Sequence, residues 1–471
     1  MSTQRPPGAD RGTPPFRDLR DRIQADIFAG MPAHVDRLTW SADRLRDWQR
    51  ERLRAALAAA KRGSPFHARR LAGVDPSRFE LADLPDLPVM TKAEMMAEFD
   101  DVITGRRLTR EAAEGALAAA GGMTPQVLPG GYLCIASGGS SGQRGIFAHD
   151  AASIAEWLSL IFRTGVAATA AARSPAGTDI QPVPSLNVTM VAAPSAVHGT
   201  VAGPSILEGS PIRFTHVPVT WEIVAIVTRL NQLQPQALMG YPSMLARLAA
   251  EQCAGRLRIA PQMVSSTAET LLAEFRAAIS AAFGAPITNS FVTSEGLVGV
   301  SAPDDPVITM ATDSCIVELV DADWHPVPAG TPSAAVLVTN LYNRVQPLIR
   351  YELTDSFIRQ PDSTEHGHLR AIVDGRRDDI LRYADADVHP LVLRSVLLTR
   401  REVIDYQVRQ TATGVDVSAL LESHLDLSQL SEDLRAALQR AGLADPEVHV
   451  EAVTSLPRHP ETGKLRRVIP V

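Results

Sequence analysis

Tyr132-Leu133-Cys134-Ile135-Ala136 runs directly into Ser137-Gly138-Gly139-Ser140-Ser141-Gly142-Gln143-Arg144-Gly145. The first five residues are short and apolar, the pattern of a buried strand. The nine that follow form a Gly/Ser loop. Glycines let backbone N–H groups approach an anion closely, and hydroxyls add donors, so phosphate is the natural ligand; a plain flexible turn is the alternative. The stretch contains neither GxxxxGK[ST] nor GxGxxG, so a P-loop NTPase and a nucleotide-cofactor dehydrogenase lose their main support.

Working back from this loop, residues 41–62 read as an amphipathic helix with Leu45, Trp48, Leu53 and Leu57 near one face, ended by Ser64-Pro65-Phe66. Thr91 caps a helix over KAEMMAEF, with Glu94 completing a capping box. Residues 111–120 are Ala-rich and helical. Working forward, 171–185 read as a surface loop and 187–193 as a strand, and strands and helices alternate to about residue 300, including a helix over 268–283. This alternation predicts α/β units with parallel strands. Three consecutive strands follow, at 315–320, 334–340 and 349–351. Composition shifts after Arg370. Residues 375–471 hold a hairpin candidate at Thr413-Gly414, a helix at 428–441, a strand at 447–453 and a loop-like end. The predicted fold is α/β. A Pro-, Gly- and charge-rich tail, 1–16, is expected to be disordered. A large N-terminal domain, 17–374, carries parallel-rich sheets and helices, and 375–471 form a small, mobile α+β domain.

Composition narrows the function. With 46 Lys and Arg against 53 Asp and Glu, the net charge is −7, which argues against a nucleic-acid or anionic-membrane partner. No stretch approaches the roughly 18–20 apolar residues that span a bilayer. The N-terminus lacks an apolar signal core, so the expected compartment is the cytoplasm. Cys134, Cys253 and Cys315 show no metal-ligand spacing and are expected to be small buried residues, without disulfide or zinc.

Four further constellations carry chemistry. Thr293-Ser294-Glu295 follows the apolar pair Phe291-Val292; a carboxylate beside hydroxyls suits Mg²⁺ on nucleotide phosphates, against a solvated turn. Arg350-Tyr351 precedes Asp355, and a strand-end carboxylate is able to accept both hydrogen bonds of a ribose diol. Gly375-Arg376-Arg377-Asp378-Asp379 marks the composition boundary. Leu456-Pro457-Arg458-His459-Pro460-Glu461-Thr462-Gly463-Lys464 ends in a lysine after a Gly-containing loop.

In this order, from Ser137 to Lys464, the five resemble the superfamily of adenylate-forming enzymes: acyl-CoA synthetases, peptide-synthetase adenylation domains and luciferase. The chain looks most like the phenylacetate-CoA ligase branch, through Ser64-Pro65-Phe66-His67 and Asp83-Leu84-Pro85-Asp86-Leu87-Pro88-Val89-Met90-Thr91-Lys92. The likeness runs from about residue 45 to residue 468. It implies an ATP-dependent ligase that activates a carboxylic acid, aryl or aryl-like, as acyl-AMP and passes it to CoA. Alternatives are transfer to a carrier protein, amine or other nitrogen nucleophile, or a non-catalytic nucleotide-binding homologue. The resemblance leaves a homodimer open. It places the ATP phosphates on Ser137, Gly138, Gly139, Ser140, Ser141 and Gly142, and adenine beside Ala268, Glu269 and Phe291. Ser294 meets the α-phosphate, Glu295 binds Mg²⁺, and Asp355 and Arg376 hold the ribose. Asp378 is the hinge, and Lys464 bridges carboxylate and α-phosphate. His198 and Tyr241 become pocket candidates; with aromatic residues at 5%, no large aromatic cage is evident.

The chain departs from the family pattern at four places. Gln143-Arg144 replaces Lys-Pro, Phe291-Val292 replaces Tyr-Gly, and Thr267-Ala268 replaces Gly-Gly. Asp385 stands where the pantetheine-tunnel loop has Gly, and its charge and Cβ weigh against CoA as acceptor.

Overall fold

The chain's computed structural model describes residues 14–120, 122–137, 144–172, 186–210, 212–397, 400, 402–459 and 462–471. At its centre is a nine-stranded sheet. The order is Asp355–Arg359, Arg370–Arg376, Ile308–Met310, Val298–Ser301, Ile287–Val292, Met263–Thr267, Ala237–Gly240, Leu186–Ala192 and Ile212–Pro218. The last five are mutually parallel, and the first four join antiparallel. Parallel neighbours require crossovers, and the predicted β–α alternation supplies them. Helices Ile223–Leu233, Pro242–Cys253 and Ala273–Phe283 bury Ile226, Leu230, Leu245, Leu248, Phe275 and Ile279 against strand residues Val191, Leu238, Val264 and Ile287. Each such side chain contributes about 1.5–3 kcal/mol through removal from water.

A larger core joins helices Pro14–Asp36 and Ala151–Ala172 to the hairpin Leu133–Ala136/Ile146–His149. Of the tail expected over 1–16, residues 1–13 lie outside the described residues; Pro14 opens a helix, and Phe16 is buried in this core. The helices expected over 41–62 and over KAEMMAEF form, the second ending at Ala97. Ser41 caps Ala42–Gly63, and Thr91 and Glu94 exchange both capping-box bonds ahead of Lys92–Ala97.

Two boundaries move for backbone reasons. The helix expected over 268–283 starts only at Ala273, because Ala268 adopts φ 69° and turns the chain away from a helix. The strand expected at 349–351 is Tyr351–Leu353, preceded by Arg350 at φ 49°. Arg350 is structural: its guanidinium meets Glu318 and the carbonyls of Pro85 and Leu87. Cys134 and Cys315 are buried as expected, but Cys253, at the end of Pro242–Cys253, is exposed; all three are free.

The C-terminal unit has its own core, drawn from residues 381–468 alone. Its sheet runs Glu447–Val453, Gly414–Leu421, Val403–Gln410, Val468–Ile469, with helices Leu391–Leu397 and Leu427–Arg440. Thr413-Gly414 lies at the predicted hairpin. The end of the chain is not loose: Val468–Ile469 pairs parallel with Val403–Gln410, which orders the segment that carries Lys464. The architecture is thus a large α/β unit followed by a small α+β unit. No helix among the described residues is long and apolar enough to cross a membrane.

Candidate active site

The carboxyl ends of the parallel strands open onto a cavity of about 380 Å³, bounded on its far side by the C-terminal unit. Ser137, His198, Ala268, Glu269, Phe291, Ser294, Glu295, Asp355, Arg376 and Lys464 all line it. Gly138, Gly139, Ser140, Ser141 and Gly142 lie outside the described residues, which include Ser137 and Gly145 on either side of them. Ser137 N–H donates to the Gly145 carbonyl and Gly145 N–H to Ser137 Oγ, both at 2.9 Å, so the hairpin closes at the cavity edge.

Glu295 sits on a turn that follows Ile287–Val292. Gly296 supplies φ 100°, a conformation natural to glycine. Asn340 Nδ2 donates to the Glu295 carbonyl at 3.0 Å and Tyr342 Oη to that of Gly296 at 2.8 Å. His149 supports the preceding residue, its Nε2 lying 3.3 Å from the Ser294 carbonyl. Burial lowers the His149 pKa to about 4, so it is a neutral N–H donor. Burial raises the Glu295 carboxyl, opposed first by the charge of Lys92.

Asp355 and Arg376 face each other across paired strands, with Arg376 Nε 3.4 Å from Asp355 Oδ1. The next turn carries Asp378, whose carboxylate accepts from Thr354 Oγ1 at 2.6 Å. Asp378 lies outside the cavity lining, while its neighbour Asp379 lines it, burial raising that carboxyl to about 6. Lys464 arrives from the opposite side. Burial and the Arg376 charge lower its ammonium to about 8, while Glu269, Asp355 and Glu295 pull the other way.

Four residues singled out in the sequence are placed as follows. Tyr241 is fully buried and absent from the cavity lining; its hydroxyl donates to the Thr462 carbonyl at 2.7 Å. Glu269 reaches the C-terminal unit, accepting the Leu465 N–H at 2.9 Å. Ala268 adopts φ 69°, a left-handed backbone that favours glycine. Asp385 is exposed on the turn between Leu381–Arg382 and Asp387–Val388.

Lys92, Asp379 and Arg466 line the cavity and were not singled out as functional. Lys92 was legible only as the residue after a capping threonine; Glu295, whose carboxyl feels its charge across the shared cavity, is 203 positions away in sequence order. The distal wall is aromatic and apolar: Trp157, Phe162, Phe214 and Met239. Gly199 and Gly203 keep it open. A Cβ on Gly199 would lie 2.9 Å from Trp157 Cη2, and one on Gly203 3.3 Å from Leu158 Cδ2. Aromatic content was too coarse a signal, since these rings converge from one helix, Ala151–Ala172, and one strand, Ile212–Pro218.

No family model matches the chain. A 2-hydroxyisobutyryl-CoA ligase in the postadenylation state, in complex with 2-HIB-AMP, superposes with a TM-score of 0.66 at 18% identity, covering 92% of this chain and 91% of that one. This chain has the fold of the adenylate-forming enzymes. The same ligase in its thioesterification state gives 0.52 at 20% identity, over 92% of this chain and 91% of that one. A benzoate CoA ligase from Burkholderia xenovorans LB400 gives 0.52 at 18% identity over 71% of this chain and 67% of that one. In sequence, protein CapK of Staphylococcus aureus is 23% identical over 254 residues; the match spans 52% of this chain and 54% of that protein, about half its length.

Proposed function

We propose that the chain is an AMP-forming acid ligase that adenylates a carboxylic acid with ATP and transfers the acyl group to CoA. One observation carries this reading. Lys464, at the far end of the chain, shares a single cavity with Ser294, Glu295, Asp355 and Arg376. Charge arranged this way suits the meeting of two anions, a carboxylate and a triphosphate.

The residues have definable tasks. Asp355 and Arg376 take the ribose, and the backbone at Ala268 and the Phe291 ring flank the base. Ser137 and the loop it begins receive the β- and γ-phosphates, with Lys92 as a further cation. Mg²⁺ typically binds through one or two carboxylates and its substrate's phosphates. Glu295, a buried carboxylate facing the cavity, fits that donor set, and the ion would neutralise phosphate charge there. A carboxylate oxygen attacks the α-phosphorus, and the bond to the β-phosphate's bridging oxygen breaks. Pyrophosphate leaves with the electron pair. Lys464 and Ser294 stabilise the charge that builds at the pentavalent centre. The small unit, residues 375–471, then turns about Asp378, Lys464 withdraws, and a thiol attacks the acyl carbonyl while AMP departs.

The acid is aryl or aryl-like. Trp157, Phe162 and Phe214 offer faces and edges to a ring, and Gly199 and Gly203 leave the space for it. The reaction is tested by pyrophosphate exchange across a panel of aryl, aliphatic and hydroxy acids, followed by CoA-dependent AMP release. Exchange with no acid sinks the enzyme reading. Exchange without CoA-dependent release moves the acceptor to a carrier protein or nitrogen nucleophile, the alternative that Asp385 favours.

A further inference from the structure

Lys464 lies between two residues whose backbones are each held by a side chain of the large unit. On one side the Tyr241 hydroxyl donates to the Thr462 carbonyl at 2.7 Å, and itself accepts the Ala193 N–H at 3.1 Å. On the other, the Glu269 carboxylate accepts the Leu465 N–H at 2.9 Å and, with its second oxygen, the Ser243 N–H at 3.2 Å. Only 5% of the Glu269 side chain is exposed. Arg458 and Arg467 approach it at 3.7 and 3.9 Å. Arg458 also donates to Ser243 Oγ at 3.0 Å and to the Gly463 carbonyl at 3.1 Å. Between these holds, Gly463 takes φ 66°, and a Cβ there would overlap Val219 Cγ1.

We propose that Glu269 and Tyr241 are positioning residues: a two-point clamp on the large unit that seats the backbone on either side of Lys464 and selects the adenylate-forming arrangement of the two units. This assigns them neither to adenine nor to the acid. The clamp rests on the adenylation reading above, and its logic is geometric. A lysine has four side-chain torsions, and a flexible ammonium stabilises a transition state only if its backbone origin is fixed. Here the two bonds of the clamp, Tyr241 to the Thr462 carbonyl and the Leu465 N–H to Glu269, both cross between units, so both are lost together when the small unit turns away. Glu269 is then left with water in place of two guanidiniums and an N–H. Opening is therefore possible without stranding a dry charge, since the same movement that removes its partners admits solvent.

The test separates the two half-reactions in the full-length enzyme. Glu269→Gln keeps the shape and removes the charge; Tyr241→Phe removes one hydroxyl. Pyrophosphate exchange should fall at least tenfold in Glu269→Gln and three- to tenfold in Tyr241→Phe. Thioester formation from chemically prepared acyl-AMP and CoA should stay within twofold of wild type, or rise. Fluorescence energy transfer between dyes on the two units should show a larger open population in both variants. Exchange within twofold of wild type with unchanged transfer overturns the clamp, as does an equal loss in both half-reactions. The energy-transfer readout needs no turnover. If wild type exchanges with no acid, the functional reading fails, while a shifted open population still supports the clamp and an unshifted one still refutes it.

Discussion

Two buried carboxylates in this molecule each face two arginines, and they are built for opposite ends. Asp313, with no exposed side-chain surface, accepts hydrogen bonds from Arg163 Nη1 and Nη2 at 2.6 and 2.8 Å and from Arg37 Nε at 2.7 Å. Arg37 in turn meets His34 and Glu156. All of these groups belong to the large unit, and they tie helix Pro14–Asp36 to helix Ala151–Ala172. Glu269 has the same formal chemistry, but its arginines stand at 3.7 and 3.9 Å and belong to the other unit. Short bidentate pairs within one body lock it, because removing either partner leaves a buried charge. Longer pairs across two bodies, backed by backbone N–H groups, hold a position that domain movement is able to release.

The comparison breaks most visibly at Asp313. Asp313→Ala leaves two guanidiniums buried without their acid, and stability should fall by about 3–5 kcal/mol. Denaturant titration measures this; a loss under about 1 kcal/mol would mean the lock is decorative. Pyrophosphate exchange per folded molecule should change little.

Lys464→Ala should show the reverse. Adenylate formation should slow by about 10²–10³, equivalent to about 3–4 kcal/mol, with the melting temperature unchanged. Lys464→Arg should recover only part of this, since a planar guanidinium places its charge differently from an ammonium. Wild-type exchange by Lys464→Ala would remove it from the mechanism.

The two sites should also separate by pH. Arg163 and Arg37 hold the Asp313 carboxyl far below the usual carboxylate range. A depressed carboxyl contributes its full stability above the unfolded value of about 4 and loses it only as pH falls further. The lock therefore should not weaken between pH 5 and 9. Burial and the Arg376 charge lower the Lys464 ammonium to about 8, and in the proposed function it serves as a cation. Adenylation kcat/KM should accordingly lose its Lys464-dependent part above about pH 8, by up to tenfold per unit. A profile flat to pH 10 would contradict this.

The smallest effect belongs to the neighbour of Glu269. Ala268→Gly relieves a left-handed alanine while adding unfolded-state entropy, so stability should change by less than about 1 kcal/mol, toward gain. A clear loss, read as a lower melting temperature, would show that the methyl packs in the cavity wall.

Much of the fold was legible because it rests on local signals. The β–α alternation after 187, the capping box at Thr91 and Glu94, and the strand at Glu447–Val453 follow from side-chain period and capping chemistry within a few residues. The exceptions are instructive. Ala268 and Arg350 adopt φ of 69° and 49°, which neither residue type favours, and both displaced an element boundary. Their conformations are imposed from outside, and no local propensity predicts them.

For the site, sequence alone determined which residue types were available in which order: the loop beginning at Ser137, Glu295, Asp355, Arg376 and Lys464. Only tertiary structure decided which groups face the cavity and which hold another residue in place. Lys92 came into the site, Tyr241 left it for the Thr462 carbonyl, and Glu269 turned toward the segment from Arg458 to Arg467. The physical reason is that a carboxylate or a hydroxyl has the same donors and acceptors wherever it stands. Its task is set by the partners that folding brings within about 3 Å, and those partners lie hundreds of residues away along the chain.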